Sequence, residues 1–250
     1  MPQRISRPVL EGLLALAAVA LQASHETFSY DAGFMYVDPV GIPSVLACLL
    51  LGFRASMRVL LATVAAIVLL DPSGVIGALL KLAATLPVVL ALQRPSAAAT
   101  AGFVALGAFL LSGGTNWLAR LLGSGWSMAV GLAAVAAPIL AAGVTWWQRP
   151  PTTDIFGSWR LPLAIALAIL ARGCLMVFAD LYFAVPVFFG QTLLEAVAGT
   201  PAHVVMGWNG VQAVVDVLGA GLLAMAWRRH GLDTRYTSLH EHEHQGSPGG

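Results

Sequence analysis

Apolar residues along this chain gather into long runs separated by charged residues, prolines and glycines. Cutting the chain at those separators leaves eight apolar stretches: 8–24, 42–53, 55–70, 74–93, 97–119, 126–147, 160–189 and 205–227. Most of them approach the roughly 20 residues that a helix needs to cross a bilayer. The pattern predicts an all-α polytopic membrane protein, a helical bundle of about eight transmembrane helices.

The second and third stretches are each shorter than roughly 20 residues, so they could instead form one long span broken at LGFRASMR. Fusing them would place Arg54 and Arg58 at membrane depth and would reverse every later loop. Eight separate spans are therefore the better count.

Basic residues alternate along the chain in a way that predicts the orientation of the spans. One set of connections carries the arginines Arg4, Arg7, Arg54, Arg58, Arg94, Arg149, Arg160, Arg228 and Arg229. The opposite loops HETFSYDAGFMYVDPVG, LDPSG and GQTLLEAVAGTPAH contain no Lys or Arg, and only Arg120 departs from the pattern. By the positive-inside rule, both termini are predicted to be cytoplasmic and the chain to lie in the cell membrane as a multi-pass protein.

Composition agrees with a membrane protein, because 58% of the residues are hydrophobic and only 10% are charged. With a net charge of +1 and no basic patch, we expect no nucleic-acid partner.

The basic, apolar start of the chain also resembles a signal peptide, but membrane segments follow it and we expect a retained first span. Cys48 and Cys174 lie in apolar runs and are expected to be buried thiols. Residues 231–250 are polar and predict a disordered cytoplasmic tail after a membrane domain at 1–230, and we expect no metal site in the HEHEH run there.

Topology leaves unexplained the ionisable residues Lys81, Arg172 and Asp180, which lie inside predicted spans. Charged groups at mid-bilayer are costly, so each is expected to face the bundle interior, a partner or a water-filled cavity. Arg172 and Asp180 are two helical turns apart, about 12 Å along one face, which is too far for a direct ion pair. Each therefore needs another partner, and an internal ion pair explains Arg172 as well as a transport role does.

Enzyme motifs give no constellation for catalysis. The sequence has no GxSxG, no HExxH and no pair of Asp-rich diphosphate motifs, so we expect no enzyme activity. It also has no GxxxxGK[ST] loop, and energy for uphill transport must come from ions or from another subunit.

Short motifs in both halves of the chain resemble the substrate-binding S-components of energy-coupling-factor (ECF) transporters, most closely the riboflavin type. In the first half they are Asp38, Ile42 with Pro43, Gly52 with Phe53 in place of a proline, and Gly74 with Gly77. In the second half they are Asp180 in place of an Asn, Pro186, Phe188, Pro201, Asn209, and Gln212 in place of a basic residue. The resemblance covers about residues 8–93 and 160–228, and it leaves 97–147 as an inserted helix pair beside a six-helix core.

This resemblance implies a membrane-embedded protein that captures a vitamin from outside, with riboflavin as the expected one, and that holds no cofactor. The substrate-binding residues that it implies are Asp180, Asn209, Gln212 and Asp38. Their chemistry adds Tyr36 and Phe34, in an aromatic outer loop suited to close over a flat ring system, and Lys81, which could donate from the facing helix. The implied partners are the lipid bilayer, a transmembrane coupling subunit that docks at Ala17, Ala20 and Ser24, and two ATPases.

Alternative roles for the same residues stay open. The loop aromatics are equally typical of an interfacial belt, and Asn209 and Lys81 could form interhelical hydrogen bonds. A stand-alone ion-coupled transporter that uses Asp180 and Arg172 is the main alternative function, and an intramembrane scaffold is a third.

Overall fold

The structure is a computed structural model of the 250-residue chain. It describes residues 6–24, 30–31, 36–37, 39–70, 74–148 and 160–230. The predicted tail at 231–250 lies outside the described residues, and so do Phe34 and Asp38. The described residues thus comprise the helices of the membrane domain and their short connections.

Helices make up most of the described residues. In chain order they are α1 (Arg7–Ala23), α2 (Ile42–Leu51), α3 (Phe53–Leu70), α4 (Val75–Gln93), α5 (Ala97–Leu122), α6 (Trp126–Gln148), α7 (Arg160–Phe189), α8 (Leu193–Gly199) and α9 (Ala202–Arg229). Helical residues continue from Thr115 to Gln148, and α5 and α6 are the two candidate spans of that region. Two short strands, β1 (Tyr30–Asp31) and β2 (Tyr36–Val37), pair antiparallel.

Six helices of the described residues, α3 to α7 and α9, are long and apolar enough to cross a membrane. Large apolar side chains cover their outer faces; Leu69, Leu140 and Trp147, for example, are 81%, 69% and 86% exposed. So extensive an apolar surface indicates contact with lipid. The prediction of a multi-pass helical membrane protein is confirmed, whereas α1, with 17 residues, and Pro39–Leu51 fall below the length of a full span.

Gly52 separates α2 from α3 without a loop. Its φ of 90° is a conformation that residues with a Cβ rarely adopt, so the chain turns sharply at this one residue. Arg54 consequently lies in the first turn of α3, where it donates to the Trp146 carbonyl at 3.3 Å. Arg58, one turn later, pairs with Glu11 of α1 at the same end of the bundle.

The centre of the bundle is formed by α7, which packs against α4 on one side and α9 on the other. α2 packs on α9 and α3 and also contacts α4. α1 packs on α3 through buried Leu10, Leu14 and Ala18. The first apolar stretch is thus part of the folded core. α5 and α6, the predicted inserted pair, pack on α4 and α7 and contribute to the same hydrophobic core.

Contacts along α7 show that α5 and α6 run in opposite directions. The Phe103 carbonyl of α5 lies 3.5 Å from Cys174 Sγ of α7. Further along both helices, the Thr115 carbonyl accepts from the Tyr182 hydroxyl at 2.8 Å. Gly131 of α6 then lies beside Phe183, and later residues of α6 lie beside earlier ones of α7. The two helices therefore form a hairpin that opens towards the α4–α5 connection.

The connection between α7 and α9 is ordered by the short helix α8. Its capping box has the Thr192 backbone N–H and hydroxyl donating to the Glu195 carboxylate, each at 2.7 Å, while the Glu195 N–H donates back to the hydroxyl at 3.3 Å. These bonds, the backbone one above all, lower the pKa of Glu195 below its ordinary value. The carboxylate therefore stays ionised at neutral pH and keeps the cap intact.

Candidate functional site

Five polar side chains are buried together where α7 meets α9, and we name them the α7–α9 cluster. Its members, Arg172, Asp180, Asn209, Gln212 and Asp216, are each at most 8% exposed. Buried polar groups at this depth of a membrane domain are costly unless they bond to one another or to a ligand. The hydrogen bonds of the cluster therefore decide what it can do.

An ion pair between the two central helices anchors the cluster. Arg172 Nη1 of α7 lies 2.8 Å from Asp216 Oδ2 of α9, and both side chains are almost completely buried. Gln212, one turn before Asp216, donates from Nε2 to Asp216 Oδ1 at 3.0 Å. Asp216 thus receives bonds on both carboxylate oxygens, which holds it in one orientation.

Asn209 links Arg172 to Asp180, the two residues that are too far apart to pair directly. Its Oδ1 accepts from Arg172 Nε at 3.5 Å, and its Nδ2 donates to Asp180 Oδ2 at 3.3 Å. The same Nδ2 also lies 3.1 Å from the Val205 carbonyl of its own helix. The expectation that Arg172 and Asp180 each have another partner is confirmed, since these partners are Asp216 and Asn209.

Backbone structure explains how both helices present these groups. Asn209, Gln212 and Asp216 follow the spacing of one face of an α-helix, so α9 directs all three towards α7. Asp180 begins a π-helical turn, Asp180–Ala184, in which the Val185 N–H donates to the Asp180 carbonyl. Such turns are frequent at functional sites, and this one precedes Pro186, which has no N–H to continue the ladder.

The start of α2 closes the cluster on the side of Asp216. Gly41, the residue that caps α2, lies so close that an added Cβ would be 2.4 Å from Asp216 Oδ2. The carboxylate therefore rests against the first turn of α2, where the partial positive charge of a helix N-terminus stabilises an anion. Asp216 is thereby held by α2, α7 and α9 together.

Gly41→Ala is expected to destabilise the fold by about 1–3 kcal/mol, because the new methyl group overlaps a carboxylate that Arg172 and Gln212 hold in place. Thermal unfolding of the purified protein in detergent measures the change. Gly77→Ala is the matched control, since a Cβ at Gly77 meets nothing within 4 Å. Equal melting temperatures for the two variants would contradict this packing of Gly41 on Asp216.

Met206 of α9 packs against both α5 and α7. An added Cβ would be 2.9 Å from Met206 Cε at Gly107 of α5 and 3.0 Å from Met206 Cγ at Gly173 of α7. The two glycines thus leave the space that the Met206 side chain fills. Met206 lies about one helical turn before Asn209. The methionine therefore fills the space where α5, α7 and α9 meet.

The structure brings together three of the predicted substrate-binding residues: Asp180, Asn209 and Gln212. Lys81 is a partly buried residue of α4. Tyr36 belongs to β2, a strand that contacts α9. Phe34 and Asp38 lie outside the described residues, so the predicted roles of the outer loop and of Lys81 stay predictions.

The predicted docking residues lie on one helix. Ala17 and Ala20 are exposed on α1, and the Ser24 hydroxyl donates to the Ala20 carbonyl at 2.8 Å. This face is open to lipid or to a partner helix, so docking there stays a prediction.

Cys48 and Cys174 are buried free thiols, as predicted. Among the described residues, no three His, Cys, Asp or Glu side chains are grouped closely enough to hold a metal ion.

Asp216 is the member of the cluster that sequence reasoning missed. It lies inside the last apolar stretch, four residues after Gln212 and seven after Asn209, so that the three share one helical face. The sequence signal that could have identified it was an acidic residue on the same helical face as two amides.

Comparison with known proteins yields no relative. No family model, no curated protein and no solved structure matches the chain. The function is therefore inferred from the cluster and from the short motifs in the two halves of the chain.

Proposed function

We propose that this chain is the membrane-embedded substrate-binding subunit of an ECF-type transporter, with riboflavin as the expected vitamin. The observation that carries the proposal is the meeting of Asp180 with Asn209 and Gln212 in one buried cluster. The motifs that implicate them lie in two different spans, and their convergence at the α7–α9 interface supports a common binding role.

Asn209 is the residue best suited to change partners when a ligand enters. Its bonds to Arg172 and Asp180, at 3.5 and 3.3 Å, are longer than the usual range for such bonds, whereas the Arg172–Asp216 bond is short at 2.8 Å. An Asn side chain can both donate and accept, which fits the carbonyls and ring nitrogens of a flavin. Arg172, Gln212 and Asp216 then form the support that keeps Asn209 in place.

The proposed topology has eight spans in the cell membrane with both termini cytoplasmic. In this arrangement the start of α9 lies towards the outside, and the start of α2 lies deeper, beside Asp216. Asn209 is then seven residues into α9, about 10 Å below its outer end. A vitamin would enter beneath the first outer loop, and docking on a coupling subunit driven by two ATPases would release it inwards.

Reconstituted liposomes test whether the chain binds without transporting. The purified chain alone is expected to retain riboflavin but not to accumulate it under a proton or sodium gradient. Accumulation is expected only when the coupling subunit, the two ATPases and ATP are added. Gradient-driven accumulation by the chain alone would contradict the proposal.

That opposite result would support the second candidate, a stand-alone ion-coupled transporter. The observation that favours it is that one guanidinium, Arg172, faces two carboxylates, Asp180 and Asp216, through hydrogen bonds in a buried network. Acidic groups inside a membrane domain are typical of proton or cation pathways. Under this alternative, Asp180→Asn abolishes uptake, whereas the vitamin-binding proposal predicts that retention persists at reduced affinity.

A further inference from the structure

An apolar cavity lies apart from the α7–α9 cluster, in the half of the bundle where α4 connects to α5. Its volume is about 340 Å³, and residues from four helices line it. The wall includes Pro87 and Leu90 of α4, Phe103 of α5, Pro138 of α6 and Leu167 of α7. Every side chain that lines it is apolar except that of Arg94.

The cavity exists because α5 and α6 diverge towards this end. Each of them packs on α7, and α6 also packs on α4, so those two helices form the floor between them. Small residues widen the gap, with Ala99 on one wall and Ala137 and Ala141 on the other. Ala137 and Ala141 are exposed, so the cavity is open to the surroundings of the bundle.

In a membrane the surroundings of α5 and α6 are lipid chains. Both helices are long and apolar enough to span a bilayer, and the gap between them opens on their outer surface. An unfilled apolar gap forgoes dispersion contacts on all its walls, and an acyl chain restores them. The lining is therefore suited to a hydrocarbon chain rather than to a polar metabolite.

Arg94 adds a charge to the mouth of this cavity. It is the exposed residue that ends α4, and its neighbour in the fold is the start of α5, capped by Ser96. Arg54, at the inner end of α3, contacts Trp146 of α6, and Arg160 begins α7, so this end of the bundle carries several cations. A basic rim beside an apolar cavity complements an anionic head group above an acyl chain.

We propose that the cavity between α5 and α6 is a binding site for an anionic glycerophospholipid, with one acyl chain between the helices and the phosphate at Arg94. The lipid would fill the open end of the hairpin and join it to α4 and α7. This role is independent of the vitamin-binding proposal, because no member of the α7–α9 cluster lines the cavity.

Native mass spectrometry of the full chain tests the proposal. The chain is first delipidated in mild detergent and then given phosphatidylglycerol or phosphatidylcholine with identical acyl chains. The unaltered chain is expected to retain one phosphatidylglycerol with about fivefold preference over phosphatidylcholine, a difference typical of one basic residue at a membrane surface. Arg94→Gln is expected to remove that preference, whereas Arg120→Gln, on an exposed site at the other end of α5, keeps it.

Filling the cavity tests the position of the acyl chain. Ala141→Phe is expected to reduce retention of both lipids, and Ala137→Leu serves the same purpose if the larger variant fails to fold. Ala105→Phe is the control, because Ala105 is an exposed residue of α5 outside the cavity lining. Equal retention of the two lipids by the unaltered chain, a preference that survives Arg94→Gln, or undiminished retention in both filled variants would overturn the proposal.

Discussion

Asp216→Ala is expected to lower the free energy of unfolding by about 3–5 kcal/mol, because it leaves the Arg172 guanidinium buried without its ionic partner. Arg172 and Asp216 are 6% and 1% exposed at their side chains, so water cannot replace the lost carboxylate. Asp216→Ala also removes the carboxylate oxygen that accepts from Gln212. Denaturation of the purified protein in mixed micelles, followed by circular dichroism, measures the loss.

Two further variants show whether the loss of stability comes from leaving a buried charge unpaired or from substitution in general. Glu11→Ala breaks an ion pair whose Arg58 side chain is 51% exposed, and it should cost only about 0–1 kcal/mol. Replacing both members of the buried pair, Arg172→Met with Asp216→Leu, removes both charges and should recover most of the stability. A loss in Asp216→Ala no larger than that in Glu11→Ala would contradict the assignment of a buried ion pair.

Asn209→Ala is expected to weaken riboflavin binding by about 10- to 100-fold, because a buried polar group of the ligand is left without its hydrogen-bond partner. The substitution removes the group that donates to Asp180 and accepts from Arg172, so the ligand loses the side chain proposed to contact it. Equilibrium binding to the purified chain measures the affinity directly.

A change at a lipid-facing position of α9 serves as the control for that loss. Val211 is 46% exposed and two residues from Asn209, so Val211→Ala should leave the affinity unchanged. Melting temperatures of both variants show whether Asn209→Ala is still folded when its affinity is measured. An Asn209→Ala variant that is folded and binds as tightly as Val211→Ala would exclude Asn209 from the site.

The helices could be predicted from the sequence because apolar runs and their interruptions are local features. The break between 42–53 and 55–70 is an example, since LGFRASMR marks the position where Gly52 turns the chain. The form of this break was not predicted. Gly52 alone makes the turn, and Arg54 and Arg58 belong to helix α3 and not to a loop. The π-helical turn at Asp180–Ala184 was also not predicted, although Pro186, which has no N–H for a helical hydrogen bond, follows it.

The site was predicted in part, for a physical reason. Asp180 could be named from its ionisable side chain inside an apolar stretch, whereas Asn209 and Gln212 were named only through the family resemblance. The partner of Arg172 could not be named, because pairing across two helices depends on their relative rotation and height, which a single helix does not encode. Asp216 becomes its partner only when α7 and α9 pack in this register. The contact of Gly41 with Asp216 likewise depends on where the start of α2 meets α9.

Titration of riboflavin against the purified full chain in mild detergent, followed by quenching of flavin fluorescence, tests the central proposal most directly. We predict saturable quenching at one flavin per chain for the unaltered protein and for Val211→Ala, with much weaker quenching for Asn209→Ala. Flavin fluorescence that stays unchanged at every protein concentration, in a preparation whose melting curve shows a folded protein, would contradict the assignment of riboflavin to the α7–α9 cluster.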